Sequence, residues 1–290
     1  MRPKLQILAA AGIGVTLGVA LPHQIQGLVA PDAGRSRAFA DAAMMTAIAT
    51  SPAASPLAHA IPVPSAAPAA EPAKAVEKHT ETRAEYALRV LRGRVRKQSH
   101  PDALRYALEA YFNFKSAHPE KVRKPYLYFV DYGLSATTPR GYVFDMEQLK
   151  VVDGPFTVAH GRGSGGNGVP TRFSNSNGSA TSSLGLFLAQ ETYAFSGHTN
   201  GRLYRSIGLR LAGLSGAFNN KARSRGVVVH GAPYVSNARA GRSEGCPAME
   251  QGRARRLIPK IGNGGMVFLF SPNDPRWLNR DPWAHADDQG

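Results

Sequence analysis

Cysteine is almost absent from this chain. Cys246 is the one thiol in 290 residues, so no disulfide can form within the chain and core packing alone must hold the fold. Acidic residues are scarce too: 20 Asp and Glu stand against 35 Lys and Arg, a formal net charge of +15. A field of that sign favours anionic partners, whether nucleic acid, an acidic membrane surface or an anionic polymer such as a cell wall. Three further absences argue against a reader of nucleic acid: there is no Cys/His zinc spacing, no recognition-helix motif and no aromatic–basic ribonucleoprotein signature. No nucleic-acid partner is therefore expected. Neither βαβ alternation nor an internal repeat is visible, which argues against a parallel α/β fold and a solenoid.

What is present divides the chain into five stretches. Residues 1–30 open with Met1-Arg2-Pro3-Lys4 and an apolar run from 5 to 21 broken only by Gln6 and Thr16. Positive charge before such a run reads as a secretory signal or an N-terminal membrane anchor. This places the protein in the periplasm or cell envelope, with membrane contact only through this segment if it is retained. Residues 31–75 are rich in Ala, Pro and Ser and read as a disordered spacer. Residues 76–119 carry helical periodicity. A first helix over 81–96 is expected to turn Tyr86, Ala87, Val90 and Leu91 inward. A second follows an N-cap at Ser99-His100-Pro101-Asp102, with Leu104, Ala107, Leu108, Tyr111 and Phe112 along its buried face. Residues 120–274 change character to short apolar runs punctuated by Gly, Asn and Ser, at 126–132, 142–146, 156–159, 184–189, 209–214, 227–229 and 266–270. Those lengths predict a mainly β domain, a sandwich or barrel, with one short helix over 253–261. Residues 275–290 form a polar, Pro-punctuated tail.

Two places carry chemistry. Val227-Val228-Val229 runs into His230-Gly231, so a buried strand presents an imidazole at the sheet's rim. Downstream lies Gly241-Arg242-Ser243-Glu244-Gly245-Cys246-Pro247, a thiol in a Gly-flanked turn. A free thiol ionises at about 8.5 and needs a base near neutrality. An adjacent imidazole supplies it, and Arg242 nearby would favour the anion. The amides of Gly245 and Cys246 are natural oxyanion donors, and the reaction such parts suit is acyl transfer. The competing reading of a lone cysteine is a small buried hydrophobe.

The wider pattern decides between them. His230-Gly231 followed by Ser243-x-Gly245-Cys246 resembles the signature of the YkuD-like cysteine L,D-transpeptidases. The stretches from Val158-Ala159-His160-Gly161 to Ser164-Gly165, Phe173-Ser174-Asn175, Ser182-Ser183-Leu184-Gly185 and Val229-His230-Gly231-Ala232-x-Tyr234-Val235-Ser236 are similar to blocks of the murein L,D-transpeptidase subfamily. So is Gly241 to Ala248. The resemblance spans roughly residues 126–272. It implies Cys246 as the acylated nucleophile and His230 as its base. The main-chain carbonyl of Gly231 would orient the imidazole, with Ser243 a turn residue beside the pair. Arg242, His160 and Tyr234 are the candidate substrate contacts. Many members carry Arg or Asn two residues after the cysteine, where this chain has Ala248, and Arg242 is the candidate substitute. The implied substrate is a peptidoglycan stem peptide. Transfer to an acceptor amine, transfer to water by an L,D-carboxypeptidase or wall hydrolase, and a non-catalytic wall-binding protein remain the readings to separate.

Other features carry less. His160, His198 and His230 form no zinc pattern, since no His-x-x-x-His or carboxylate pairing accompanies them, and no metal or cofactor is expected. Gly161-Arg162-Gly163-Ser164-Gly165-Gly166 lacks a Walker lysine and reads as a flexible loop. Arg253, Arg255 and Arg256 read as a solvated helix face or an attraction for acidic wall polymer. Trp277 and Trp283 read as local packing.

Overall fold

A computed structural model describes residues 80–285; the export segment and the spacer expected over 1–75 lie outside them. The first helix, α1 (Arg83–Leu91), starts at a capping box in which Thr82 Oγ1 accepts from the Glu85 amide at 3.2 Å while the Glu85 carboxylate accepts from the Thr82 amide at 2.7 Å. Its buried stripe is Ala84, Ala87 and Leu91, not the wider face expected. Tyr86 and Val90 are 48% and 38% exposed, and the Tyr86 ring lies outside under the Arg89 guanidinium. Two alanines on the inner stripe let the helix backbone pack closely, which leaves no room there for an aromatic ring.

The second helix, α2 (Ala103–Ala117), begins later than its apparent capping signal. Asp102 is the N-cap and makes no side-chain capping bond. Ser99 is spent elsewhere: its hydroxyl and amide both donate to the Asp131 carboxylate. Leu104, Ala107, Leu108 and Tyr111 are fully buried, as their spacing predicts, with Phe112 partly so.

Ten strands follow: β1 (Tyr126–Asp131), β2 (Gly141–Asp145), β3 (Lys150–Phe156), β4 (His160–Gly161), β5 (Gly185–Thr199), β6 (Arg202–Gly213), β7 (Val228–Ala232), β8 (Arg242–Ser243), β9 (Ala248–Glu250) and β10 (Met266–Phe270). Eight of them form one mixed sheet in the order β3-β2-β1-β10-β5-β6-β7-β9. The centre is apolar on both faces, because β1, β2 and β10 are buried along almost their whole length. The mainly β class expected from the apolar runs is what the chain adopts.

The sheet wraps. β3 and β9 are the two ends of the strand order, yet the segment leaving β3 crosses to β9, where the Ala159 amide donates to Ala248 O at 2.8 Å. β4 then pairs in parallel with β8, His160 opposite Arg242 and Gly161 opposite Ser243. The apolar run at 156–159 is therefore this crossing segment, and its strand lies earlier, at 150–156. A sheet closed on itself exposes fewer unpaired edges, and here the closure brings the histidine and cysteine segments together.

α3 (Gln251–Ile261) is capped by the Glu250 carboxylate, which accepts from the Gly252 and Arg253 amides at 2.7 Å. Its arginines are not simply a solvated face. Arg253 lies over the Phe156 ring and donates to Asp153 at 3.1 Å, and Arg256 approaches the same carboxylate. In the tail, Trp277 of α4 (Pro275–Leu278) is 1% exposed and donates to Asp281, while Trp283 donates to Leu214 O and meets Phe114 edge-on. Both tryptophans pack locally, and helices, sheet and tail share one apolar core.

That shared core yields a measurable expectation. Phe114→Ala, which empties a buried ring site between α2 and the tail, should cost about 3–5 kcal/mol and shift one cooperative urea transition. A separate early transition for the helices, with the sheet unaffected, would contradict it.

Candidate active site

His230 sits in β7, between Gly208 of β6 and Ala248 of β9. The valines before it bury the strand and leave the residue 2% exposed. Its ring stacks on Phe195 with centroids 4.2 Å apart, and Tyr204 and Tyr234 stand at 6.5 Å. Nδ1 lies 3.1 Å from the Gly231 carbonyl. A carbonyl can only accept, so Nδ1 carries the proton and Nε2 presents its lone pair. Burial pushes the imidazole down to about 4 despite that hydrogen bond. His230 is therefore neutral at pH 7.

Cys246 precedes β9, two residues before the partner of His230. Ser243 shapes its turn: the hydroxyl accepts from the Gly245 amide at 3.2 Å and donates to Cys246 O at 2.6 Å. Gly245 has φ +125°, and a Cβ there would stand 2.8 Å from Thr181 O, so the turn requires glycine. Ser182 locks it from below, accepting from the Gly161 amide and donating to Gly245 O at 3.1 Å. A side chain at Gly161 would collide with Ala180 O and crowd Gly245 Cα. Gly161, the first residue of the glycine-rich stretch and part of β4, is thus the tight backing of the cysteine turn, while Gly166 further along has open space around it. One expectation needs correction: the Gly245 amide is committed to Ser243, so of the two candidate oxyanion donors only the Cys246 amide remains.

The thiol opens into a cleft of about 240 Å³ lined by Arg225, Gly226, Glu244 and Gly178 among others. Sγ donates to Gly226 O at 3.8 Å and receives the Val228 amide. Burial raises the thiol above its ordinary value; the Val228 amide and the Arg225 charge oppose this, and Glu244 adds to it. With the thiol raised and the imidazole lowered, the resting pair is thiol and imidazole, not thiolate and imidazolium. Among the described residues no hydrogen bond joins Sγ to His230.

The expected substrate contacts separate. Arg242 is exposed on β8 and, with Tyr234, Arg162 and His198, lines a second cleft of about 330 Å³. The cation beside the thiol is Arg225, not Arg242. His160 cannot touch a substrate: it is 0% exposed, Arg140 donates to its Nδ1 at 2.9 Å, and its Nε2–H meets Gly166 O at 2.9 Å. Its tautomer is the reverse of that of His230, and burial with the Arg140 charge drives it down to about 4. His160 is structural. No group of metal-binding side chains occurs among the described residues. Arg225, Phe195 and Tyr204 escaped the sequence reading. Phe195 and Tyr204 ride on the long outer arms of β5 and β6, where alternation was the available signal; Arg225 is one arginine among many.

The L,D-transpeptidase catalytic domain family, YkuD_2, matches residues 95–270. The chain belongs to that family. The match takes in α2 and every strand, while α1 and both tail tryptophans lie outside it and still share the core. Among solved structures, an L,D-transpeptidase from Mycobacterium smegmatis is 16% identical, covering 50% of this chain and 58% of its own, with a TM-score of 0.32. An L,D-transpeptidase solved in complex with imipenem is also 16% identical, over 50% and 59%, at 0.32. One from Stackebrandtia nassauensis is 15% identical, over 58% and 69%, at 0.32. The chain thus spans under three fifths of the length of the first two. No curated protein matches it.

Within this transpeptidase domain the two lowered histidines have a consequence for stability. Unfolded imidazoles bind protons near 6.5, but the folded His160 and His230 do so only near 4. Their contribution is complete above pH 6.5 and is lost as pH falls towards 4, on the order of 3 kcal/mol for each. The urea midpoint should therefore drop between pH 7 and pH 4.5, with a shallower slope for His230→Gln. Equal slopes would contradict the buried neutral ring.

Proposed function

We propose that this chain is a peptidoglycan L,D-transpeptidase that carries its acyl intermediate on Cys246. The observation that carries the reading is the placement, inside a domain of this family, of an imidazole with its Nε2 lone pair available beside the strand that holds the cysteine turn. Sγ leaves the Gly226 carbonyl and attacks the amide carbonyl that joins the dibasic stem residue to a terminal D-amino acid. Its proton passes to His230 Nε2 as the S–C bond forms. The Gly231 carbonyl holds the ring in the required tautomer in place of a carboxylate. The Cys246 amide faces the developing oxyanion. The D-amino acid departs with the proton from His230, leaving a thioester. An acceptor stem amine then attacks, His230 takes its proton, and the cross-link forms as the thiol is restored.

Because the resting pair is neutral, proton transfer occurs within the attack rather than before it. Water in place of the amine makes the same site an L,D-carboxypeptidase. The net charge of +15 suits a wall polymer of opposite sign, and the basic-apolar segment at 1–30 suits export to the envelope, where stem peptides are joined.

One relative was solved with imipenem bound, and carbapenems mimic an acyl donor. Incubation with a carbapenem should add one drug mass to the chain and none to Cys246→Ala, as intact-mass spectrometry reads it. His230→Gln should slow the addition about 100-fold or more, the usual scale of a general base. A folded wild type that takes no adduct would overturn the reading in favour of a wall-binding protein with an inert thiol.

A further inference from the structure

Arg225 is a charge without a counter-charge. It lies in the turn that leads into β7, next to Gly226, whose carbonyl holds the Cys246 thiol. Its guanidinium is half-buried and gripped by four neutral acceptors: Ser174 O at 2.8 Å, Ser183 Oγ at 2.6 Å, and Ser179 Oγ and Thr181 O each at 3.0 Å. No carboxylate pairs with it among the described residues. Arg105, Arg162, Arg223 and Arg253 each have one at 3.1 Å or closer.

A partly desolvated guanidinium held by neutral groups keeps a free-energy cost that no carboxylate among the described residues offsets. Four of its five N–H groups are taken, so the Nε–H and the charge remain for an anion. Arg225 lines the same cleft as Cys246. The carboxylate of that cleft, Glu244, does not fill the place, because both its oxygens are held by Arg162 Nε at 2.8 Å.

The reaction proposed above, on which this inference rests, names an anion of the right position. The displaced D-amino acid carries its α-carboxylate on the carbon bonded to the scissile nitrogen. That carboxylate carbon is three bonds from the carbonyl carbon that Sγ attacks, so a cation lining the thiol's own cleft is the one placed to bind it. We propose that Arg225 binds the free carboxylate of the leaving residue and restricts Cys246 to stems that end there, excluding amidated or extended ones.

The lone thiol permits a test that needs no turnover. Cys246 is alkylated in parallel with iodoacetate, which carries a carboxylate, and with neutral iodoacetamide. The ratio of the two rates cancels the ionisation of the thiol, and 2-mercaptoethanol gives the reference ratio. The wild type should exceed that reference by about tenfold, the scale of one charge-assisted hydrogen bond. Arg225→Gln should return to the reference. Arg225→Lys, which keeps the charge but not the fork, should fall between them. About 1 M salt should shrink the wild-type preference with no mutation at all. A wild-type ratio equal to the reference would overturn the proposal, as would an equal ratio in Arg225→Gln. An Arg225→Gln protein in which both rates fall together would assign the residue to thiolate stability alone, and would overturn it too. A carbapenem adduct alongside a flat ratio would remove only the Arg225 assignment and leave the transpeptidase reading standing.

Discussion

The buried guanidinium of Arg140 holds the closure on which the site depends. It is fully enclosed and donates to Leu134 O, twice to Val158 O and once to His160 Nδ1, while lying over the Tyr132 ring. Burial lowers its pKa to about 10, so it stays charged at neutral pH. The bonds to Val158 and His160 fix the crossing segment that joins β3 to β9, and those to Leu134 and Tyr132 tie it to the loop after β1. With that segment placed, Ala159 bridges Ala248, Gly161 backs Gly245, and the cysteine turn is pressed against the strand that carries His230. A lysine would not serve there, since one ammonium cannot reach a forked set of acceptors.

The electrostatics of the site follow from burial more than from pairing. Hydrophobic valines and the Phe195 ring desolvate His230, and the enclosed turn desolvates Cys246. Each therefore rests in its neutral form. This differs from a preformed thiolate–imidazolium pair, which requires the thiol to be the stronger acid of the two. The surface tells a different story: exposed arginines such as Arg89, Arg162, Arg223 and Arg276 each reach a carboxylate. Arg225 differs from these in lining the thiol's cleft with no carboxylate partner among the described residues.

Much of this was legible in the sequence. The run at 266–270 is β10 residue for residue, and His230 and the Ser243–Cys246 turn were marked by Gly-flanked patterns that buried strands and tight turns demand. The outer arms of β5 and β6 were missed because their apolar residues alternate with polar ones beyond the uniformly apolar cores at 184–189 and 209–214. The inner face of α1 was misread because alanines, not the larger Tyr86 and Val90, make the close contact. His160 looked like a substrate contact because a histidine beside glycines at a strand end gives no sign of the arginine buried against it. Arg140, Arg225 and Arg242 were indistinguishable by type; only the fold separates the staple, the cleft cation and the exposed one.

The central claim is that Cys246 carries the acyl group from a stem peptide. It is tested most directly by mixing the chain with a tetrapeptide stem, quenching in acid, and measuring intact mass and free D-amino acid together. The account predicts a tripeptide thioester on Cys246 and release of the terminal D-amino acid, both lost in Cys246→Ala. Release that persists in Cys246→Ala, or none at all from the folded wild type, would contradict it.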